Sequence, residues 1–301
     1  MRFGWMLVLG GGVLAACAGT TPAPMRSLAP GAPSRARPAP ILVSQSAQPD
    51  AGPSGDTGDL DAGAPLGAAT AADADPPAPH AHAAHAPYPF QAPLPDKWLP
   101  KKSPAMRDAN LSPGQCRAQL RKERLPLHGV RIASPGVANP RRIAGRLHGV
   151  RFVTPHRPSP YGMLDCRLAL ALDSFAGILS KHGVISVYVD NFYRPHAHLP
   201  GKHKHSQHAY GLAIDLMGLS FRDGTTLRVG DDWHGGIGRP VCGSDAEPVE
   251  ATPGAIRLRN IVCDVARAGI FQHMLTPNFN KAHHSHFHFD ITRGVKYFVV
   301  R

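Results

Sequence analysis

"SQHAYGLAIDL", Ser206 to Leu216, sets an aspartate inside a run of Leu, Ala and Ile. That composition after Gly211 predicts a strand over Leu212 to Met217, and a lone carboxylate buried in it would cost several kcal/mol. Asp215 therefore needs a cationic partner or a metal. A second stretch supplies it: "HHSHFHFD", His283 to Asp290. Side chains alternate across a strand, so His286, His288 and Asp290 share one face while Phe287 and Phe289 point into the core. If the two strands pair, Asp215 and His288 converge, and His208 closes the set through the turn at Gly211. Two histidines and one aspartate with an open fourth position have the make-up of a catalytic zinc site. Asp290 falls outside this set and is expected to orient a histidine or cap the sheet.

Working outward, Ser112-Pro113 is an N-cap and first-turn pair for a helix through Cys116 and Leu120. Leu164, Leu168, Leu172, Phe175 and Leu179 recur at helical spacing from Asp165 to a stop at Lys181-His182-Gly183. "VISVYV" (Val184 to Val189) follows as a strand. Thr252-Pro253 starts a third helix, carrying Ile256, Ile261, Val262 and Val265 toward Gly269. The remaining strands are "TTLRV" (Thr225 to Val229) and "HFHFDI" (His286 to Ile291). Helices and strands alternate without clean βαβ spacing. The expected class is α+β, with helices packed on one face of a mainly antiparallel sheet.

The N-terminal third differs in kind. Met1 to Cys17, "MRFGWMLVLGGGVLAAC", has one arginine and an apolar run too short to span a bilayer comfortably, which reads as an export signal. Its Leu14-Ala15-Ala16-Cys17 ending resembles a bacterial lipobox, in which the cysteine is lipidated and becomes the mature N-terminus. A plain secretory signal is the alternative. Residues 18–95 are dominated by Ala, Pro, Gly, Ser and Asp, too poor in large apolar side chains to offset ordering entropy, and are expected to be a disordered spacer. His80, His82 and His85 within it belong to a solvated low-complexity tract.

Arg26, Arg35 and Arg37 in the spacer stand against Asp50, Asp56, Asp59, Asp61, Asp73 and Asp75, so the domain from Asp96 onward is more basic than the chain's net charge of +12. Exported basic domains meet polyanions such as cell-wall polymers, anionic lipid or nucleic acid. No reading helix or stacking motif is present, and no nucleic-acid partner is expected. Setting Cys17 aside leaves Cys116, Cys166, Cys242 and Cys263. An even number in an exported protein implies two disulfides, with three connectivities open; Cys116 with Cys166 and Cys242 with Cys263 is the preferred one. His196, His198, His203 and His205 crowd the segment "RPHAHLPGKHKHS", read as a basic, substrate-facing loop in preference to a second zinc site.

"CRAQL" at Cys116, "SQHAYGLAID" at Ser206 and "NFNKAHHSHFHFD" at Asn278 together resemble the bacterial extensin-like C-terminal domain, in the LAS group of metallopeptidases (lysostaphin, D-Ala-D-Ala peptidases, sonic hedgehog). The resemblance covers roughly residues 112–292 and implies a LAS/hedgehog-type domain over 96–301. It further implies that His208, Asp215 and His288 bind Zn2+. His286 is then the general base or transition-state stabiliser, His283 matches a further active-site histidine of the murein endopeptidase branch, and Arg194 matches a position that holds a substrate carboxylate or developing oxyanion. Ser285 stands where the D-Ala-D-Ala enzymes have a glutamate, so a histidine mechanism is preferred over a carboxylate base. Tyr193 stands where the extensin-like pattern tends to have a cysteine. The implied activity is hydrolysis of peptidoglycan stem or cross-link peptide bonds, by a protein tethered to the periplasmic side of the outer membrane through Cys17 or free in the periplasm or at the cell surface. The rival readings are an inactive, zinc-containing wall-binding module and, from charge alone, a nucleic-acid binder.

Overall fold

The computed structural model describes residues 88–96, 98–132, 134–154 and 160–301. The signal reading of residues 1–17, the lipidation of Cys17, and the spacer as far as residue 87 lie outside the described residues. In chain order the elements are α1 (Pro104–Ala109), α2 (Pro113–Glu123), β1 (Leu127–Gly129), β2 (Pro140–Ile143), β3 (Arg146–Leu147), β4 (Val150–Val153), β5 (Leu164–Asp165), α3 (Cys166–Lys181), β6 (Val184–Val189), β7 (Ala213–Phe221), β8 (Thr226–Arg228), α4 (Val229–Asp232), α5 (Pro253–Arg267), β9 (His273–Leu275), β10 (Phe287–Asp290) and β11 (Val299–Val300). Among the described residues no helix is long and apolar enough to cross a membrane.

The three long helices start where their caps dictate. Ser112 and Gln115 form a capping box at α2, with the Ser112 hydroxyl accepting from the Gln115 amide at 3.3 Å and Gln115 accepting from the Ser112 amide at 2.9 Å. The Asp165 carboxylate accepts from the Arg167 amide at 3.0 Å and from its guanidinium at 2.7 Å, opening α3. Thr252 caps α5 by accepting from the Ala255 amide at 3.1 Å, with Pro253 in the first turn. The apolar stripe of α3, including Leu168, Leu172, Phe175 and Leu179, is buried, and Phe175 meets Phe271 and Phe289 edge to face at 5.5 and 6.1 Å.

The main sheet runs β11-β9-β10-β7-β6-β4-β3, with β8 on the C-terminal half of β7. β7 thus has β6 along one edge, and β10 then β8 along the other. All pairings are antiparallel except β4 with β6 and β9 with β11. A smaller sheet joins β1, β2 and β5. The protein is of mixed α+β class. Within the mainly antiparallel sheet one βαβ connection occurs: β4 and β6 pair parallel and are linked through α3.

Other differences are local. β7 extends to Phe221, four residues past Met217, because Gly218 to Ser220 pair with β8. Val229, expected to end a strand, opens the short α4. His286 lies just before β10 rather than inside it. The folded part also begins before Asp96. Phe90 is fully buried, its amide donates to Asn260 Oδ1 at 2.9 Å, and Arg267 donates to the Pro89 carbonyl at 2.7 Å.

Disulfides join Cys116 to Cys166 and Cys242 to Cys263, closing separations of 50 and 21 residues. Chain-entropy arguments assign each about 3–4 kcal/mol. The first ties α2 to the start of α3, and the second ties the segment before α5 to that helix.

Candidate metal centre

β10 lies beside β7 in a register that sets His288 directly opposite Asp215. Ile214 and Leu216, on the other face of β7, are buried with Phe287 and Phe289 in the apolar core, so alternation alone turns Asp215 and His288 away from it. His208 comes from a 3-10 turn, Gln207–Tyr210, capped by the Ser206 hydroxyl, which accepts from the His208 amide. Gly211 ends that turn with φ +62°, and a Cβ there would lie 2.9 Å from the Asp165 amide nitrogen. Only glycine meets both demands, and it returns the chain into β7 with His208 over Asp215.

Three atoms meet in a nearly equilateral triangle: His208 Nε2, Asp215 Oδ1 and His288 Nδ1, each 3.0 Å from the other two. Each imidazole is fixed through its far nitrogen. His208 Nδ1 donates to the Phe192 carbonyl at 3.2 Å, and His288 Nε2 donates to Asp290 Oδ2 at 3.3 Å. A carbonyl and a carboxylate can only accept, so neutral His208 and His288 present lone pairs to the triangle, where the carboxylate adds another. Three lone pairs in contact are stable only around a positive charge. A tetrahedral zinc site with ligand bonds of about 2.0–2.1 Å separates its ligands by about 3.3 Å, so the donor set fits such an ion with small adjustment.

The titration behaviour of the cluster says the same. Burial acts against a charged His288, yet hydrogen bonds to Asp215 and Asp290 outweigh it and push its pKa up to about 9. Burial would raise the Asp215 pKa, but His208 and His288 hold it well below the usual carboxylate range. His208, with burial as the largest influence, is pushed down despite Asp215. One proton thus takes the central place when no cation does, and metal binding would release it.

The surrounding residues divide by distance. Asn191 donates to Asp215 Oδ2 at 3.0 Å, and its carbonyl accepts from the Asp215 amide at 3.0 Å. Asp290 also accepts from His273 Nδ1 at 2.8 Å and from the Thr292 hydroxyl at 3.0 Å, so its role is to orient His288, as expected from sequence. His286 Nε2 stands 3.7 Å from Asp215 Oδ1, near the triangle but not in it. Its pKa is lowered, chiefly by burial and against the pull of Asp215. His283 is held by Asn280, to whose Oδ1 its Nδ1 donates at 2.7 Å, and its ring lies 5.2 Å from that of His286. Burial first, then His286 and His288, push its pKa down to about 4, leaving a neutral ring with Nε2 as acceptor. Arg194 lies at the rim, half exposed, with its guanidinium 3.8 Å from Asp215 Oδ2 and its amide donating to the His208 carbonyl at 3.1 Å.

The structure therefore brings together all six residues singled out in the sequence. Tyr193, next to Arg194 in the chain, faces inward: it is buried, and its hydroxyl donates to the Pro135 carbonyl at 2.8 Å. Sequence reasoning missed Asn191 and His273. Asn191 had a usable signal, a carboxamide placed just after a strand whose neighbour carries a buried acid; His273 had none. Asn278, within the quoted motif, serves the scaffold by accepting from Trp233 Nε1 at 2.8 Å and from the Gly236 amide at 3.1 Å.

A family model described as extensin-like protein C-terminus matches residues 115–300. No curated protein and no solved structure matches the chain.

Proposed function

Because the chain belongs to the extensin-like protein C-terminus family, whose match spans every member of the cluster, we propose that it is a zinc-dependent peptidase of peptidoglycan with a LAS-type domain. The observation that carries the reading is the triangle of lone pairs whose histidines are both tied from behind. His208 Nε2, Asp215 Oδ1 and His288 Nδ1 would hold the ion. Bound there, Zn2+ supplies a Lewis acid and a water of lowered pKa. His286, neutral and partly open to solvent, accepts the proton from the attacking water and returns it to the leaving amine. His283, also neutral at working pH, offers Nε2 as a second acceptor beside it. Arg194 offers a fixed positive charge at the rim for a substrate carboxylate or the developing oxyanion.

The substrate class is supported by the resemblance to LAS-type peptidases, by the basic charge of the domain, which suits an anionic wall, and by the export signal read in residues 1–17. Murein endopeptidase-like cleavage of a stem or cross-link amide is preferred because Ser285 offers no carboxylate base. A lipid on Cys17, with the spacer for reach, would keep the domain at the periplasmic side of the outer membrane. Mass spectrometry of muropeptides after incubation with the zinc-loaded protein tests the proposal: new products whose masses name one amide bond are expected. Intact muropeptides with retained binding to sacculi would replace it by the inactive wall-binding module.

A further inference from the structure

We propose that His198 and His205 form a second, outer metal site, a chelate for a borderline divalent ion such as Zn2+. The segment after Arg194 is a tight hairpin. The Ala197 amide donates to the Arg194 carbonyl at 3.2 Å, the Ser206 amide to the Ala197 carbonyl at 2.9 Å, and the Leu199 amide to the Lys204 carbonyl at 2.9 Å. Its one ladder pair sets His198 opposite His205 in antiparallel register. Directly opposed residues on such a pair have Cβ atoms about 4.5–5.5 Å apart, close enough for two imidazoles to share one ion. The rings stand 4.3 Å apart between centroids and are tilted by 34°.

The His205 ring also packs edge to face on Tyr210 at 5.9 Å, a contact that leaves its nitrogens free of any hydrogen-bonding side chain. His205 Nδ1 is shielded from solvent and has no hydrogen-bond partner among the described residues. A buried polar atom left so costs about 1–3 kcal/mol, which ligation of that nitrogen would relieve. No acid occurs between Asn191 and Gln207, so no carboxylate competes for these rings from the same segment. Among the described residues no third His, Cys, Asp or Glu ligand atom converges on the pair, so solvent would fill the remaining positions of a two-histidine chelate. Imidazole ligands favour zinc and copper over the hard cations. Lys202 and Lys204 repel a dication, and the pair lacks a carboxylate, so this site is the weaker and fills after the Asp215 cluster.

Zinc uptake by equilibrium dialysis of the full-length chain, across rising free zinc, tests the assignment with five proteins. Wild type is expected to take up one equivalent more than the His198→Ala/His205→Ala variant, and only at the higher zinc concentrations. His80, His82 and His85 are common to both and cancel in the difference. Asp215→Ala should lose the tight equivalent and keep the weak one, so failure of the inner centre and failure of the outer one are read separately. The single variants His198→Gln and His205→Gln, which preserve polarity and approximate size, should each lose the same weak equivalent. Equal uptake by wild type and all three hairpin variants overturns the proposal.

Discussion

Two histidine-rich regions lie close together in this chain, and they are built differently. Around Asp215, each imidazole is fixed from behind, His208 by the Phe192 carbonyl and His288 by Asp290, and a carboxylate completes the set. In the hairpin that begins after Arg194, His198 and His205 face each other without an acid in the segment, and His205 Nδ1 has no hydrogen-bond partner among the described residues. The number of histidines does not distinguish the regions. What does is the atom behind each ring, which decides whether its free nitrogen points at one place before an ion arrives. A supported set binds without paying to order its ligands, and should be tight; an unsupported pair should be weak.

The largest effect expected from breaking that support at its centre is Asp215→Ala. It removes the negative ligand and should abolish both tight zinc binding and hydrolysis, read by metal analysis and muropeptide release; full zinc retention would take Asp215 out of the site. His286→Ala separates holding from chemistry: zinc should stay while the hydrolysis rate falls about 10²–10⁴-fold. If its zinc is lost as readily as in His288→Ala, the two roles have been confused. Removing the supports alone should have an intermediate result. Asp290→Asn and Asn191→Ala should each weaken zinc affinity about 10–100-fold in chelator competition without emptying the site at saturating metal. Affinity unchanged in both would show that the supports are incidental.

The last effect concerns pH. With a folded pKa of about 9 against an ordinary 6.5, the His288 proton stabilises the zinc-free fold fully below pH 6.5, and that contribution is lost as pH rises through 9. Zinc replaces the proton. Urea denaturation with chelator present should therefore show a stability decline between these values that the zinc-loaded protein lacks; parallel curves would contradict it.

Much of this site was legible because its geometry rests on period and cap. Strand alternation placed His288 and Asp290 on one face and the two phenylalanines on the other, and the caps at Ser112, Asp165 and Thr252 gave the long helices their starts. The strands β1 to β4 were not legible. They are two to four residues long, and "PRRI" and "VRFV" carry arginines where a strand signal needs apolar alternation; the neighbours that pair with them, not their own composition, make them strands. β9 and β11 are likewise made by pairing along the edge beyond β10. Asn191 and His273 depended on knowing which strands are adjacent, which no local pattern carries.

The most direct test of the central claim is the zinc X-ray absorption spectrum of the full-length chain loaded with one equivalent. The account predicts a tetrahedral first shell of two imidazoles, one carboxylate oxygen and one oxygen from solvent, unchanged in His286→Ala. A shell of three imidazoles that becomes two in that variant would make His286 a ligand, close the open position, and contradict the assignment of a catalytic centre.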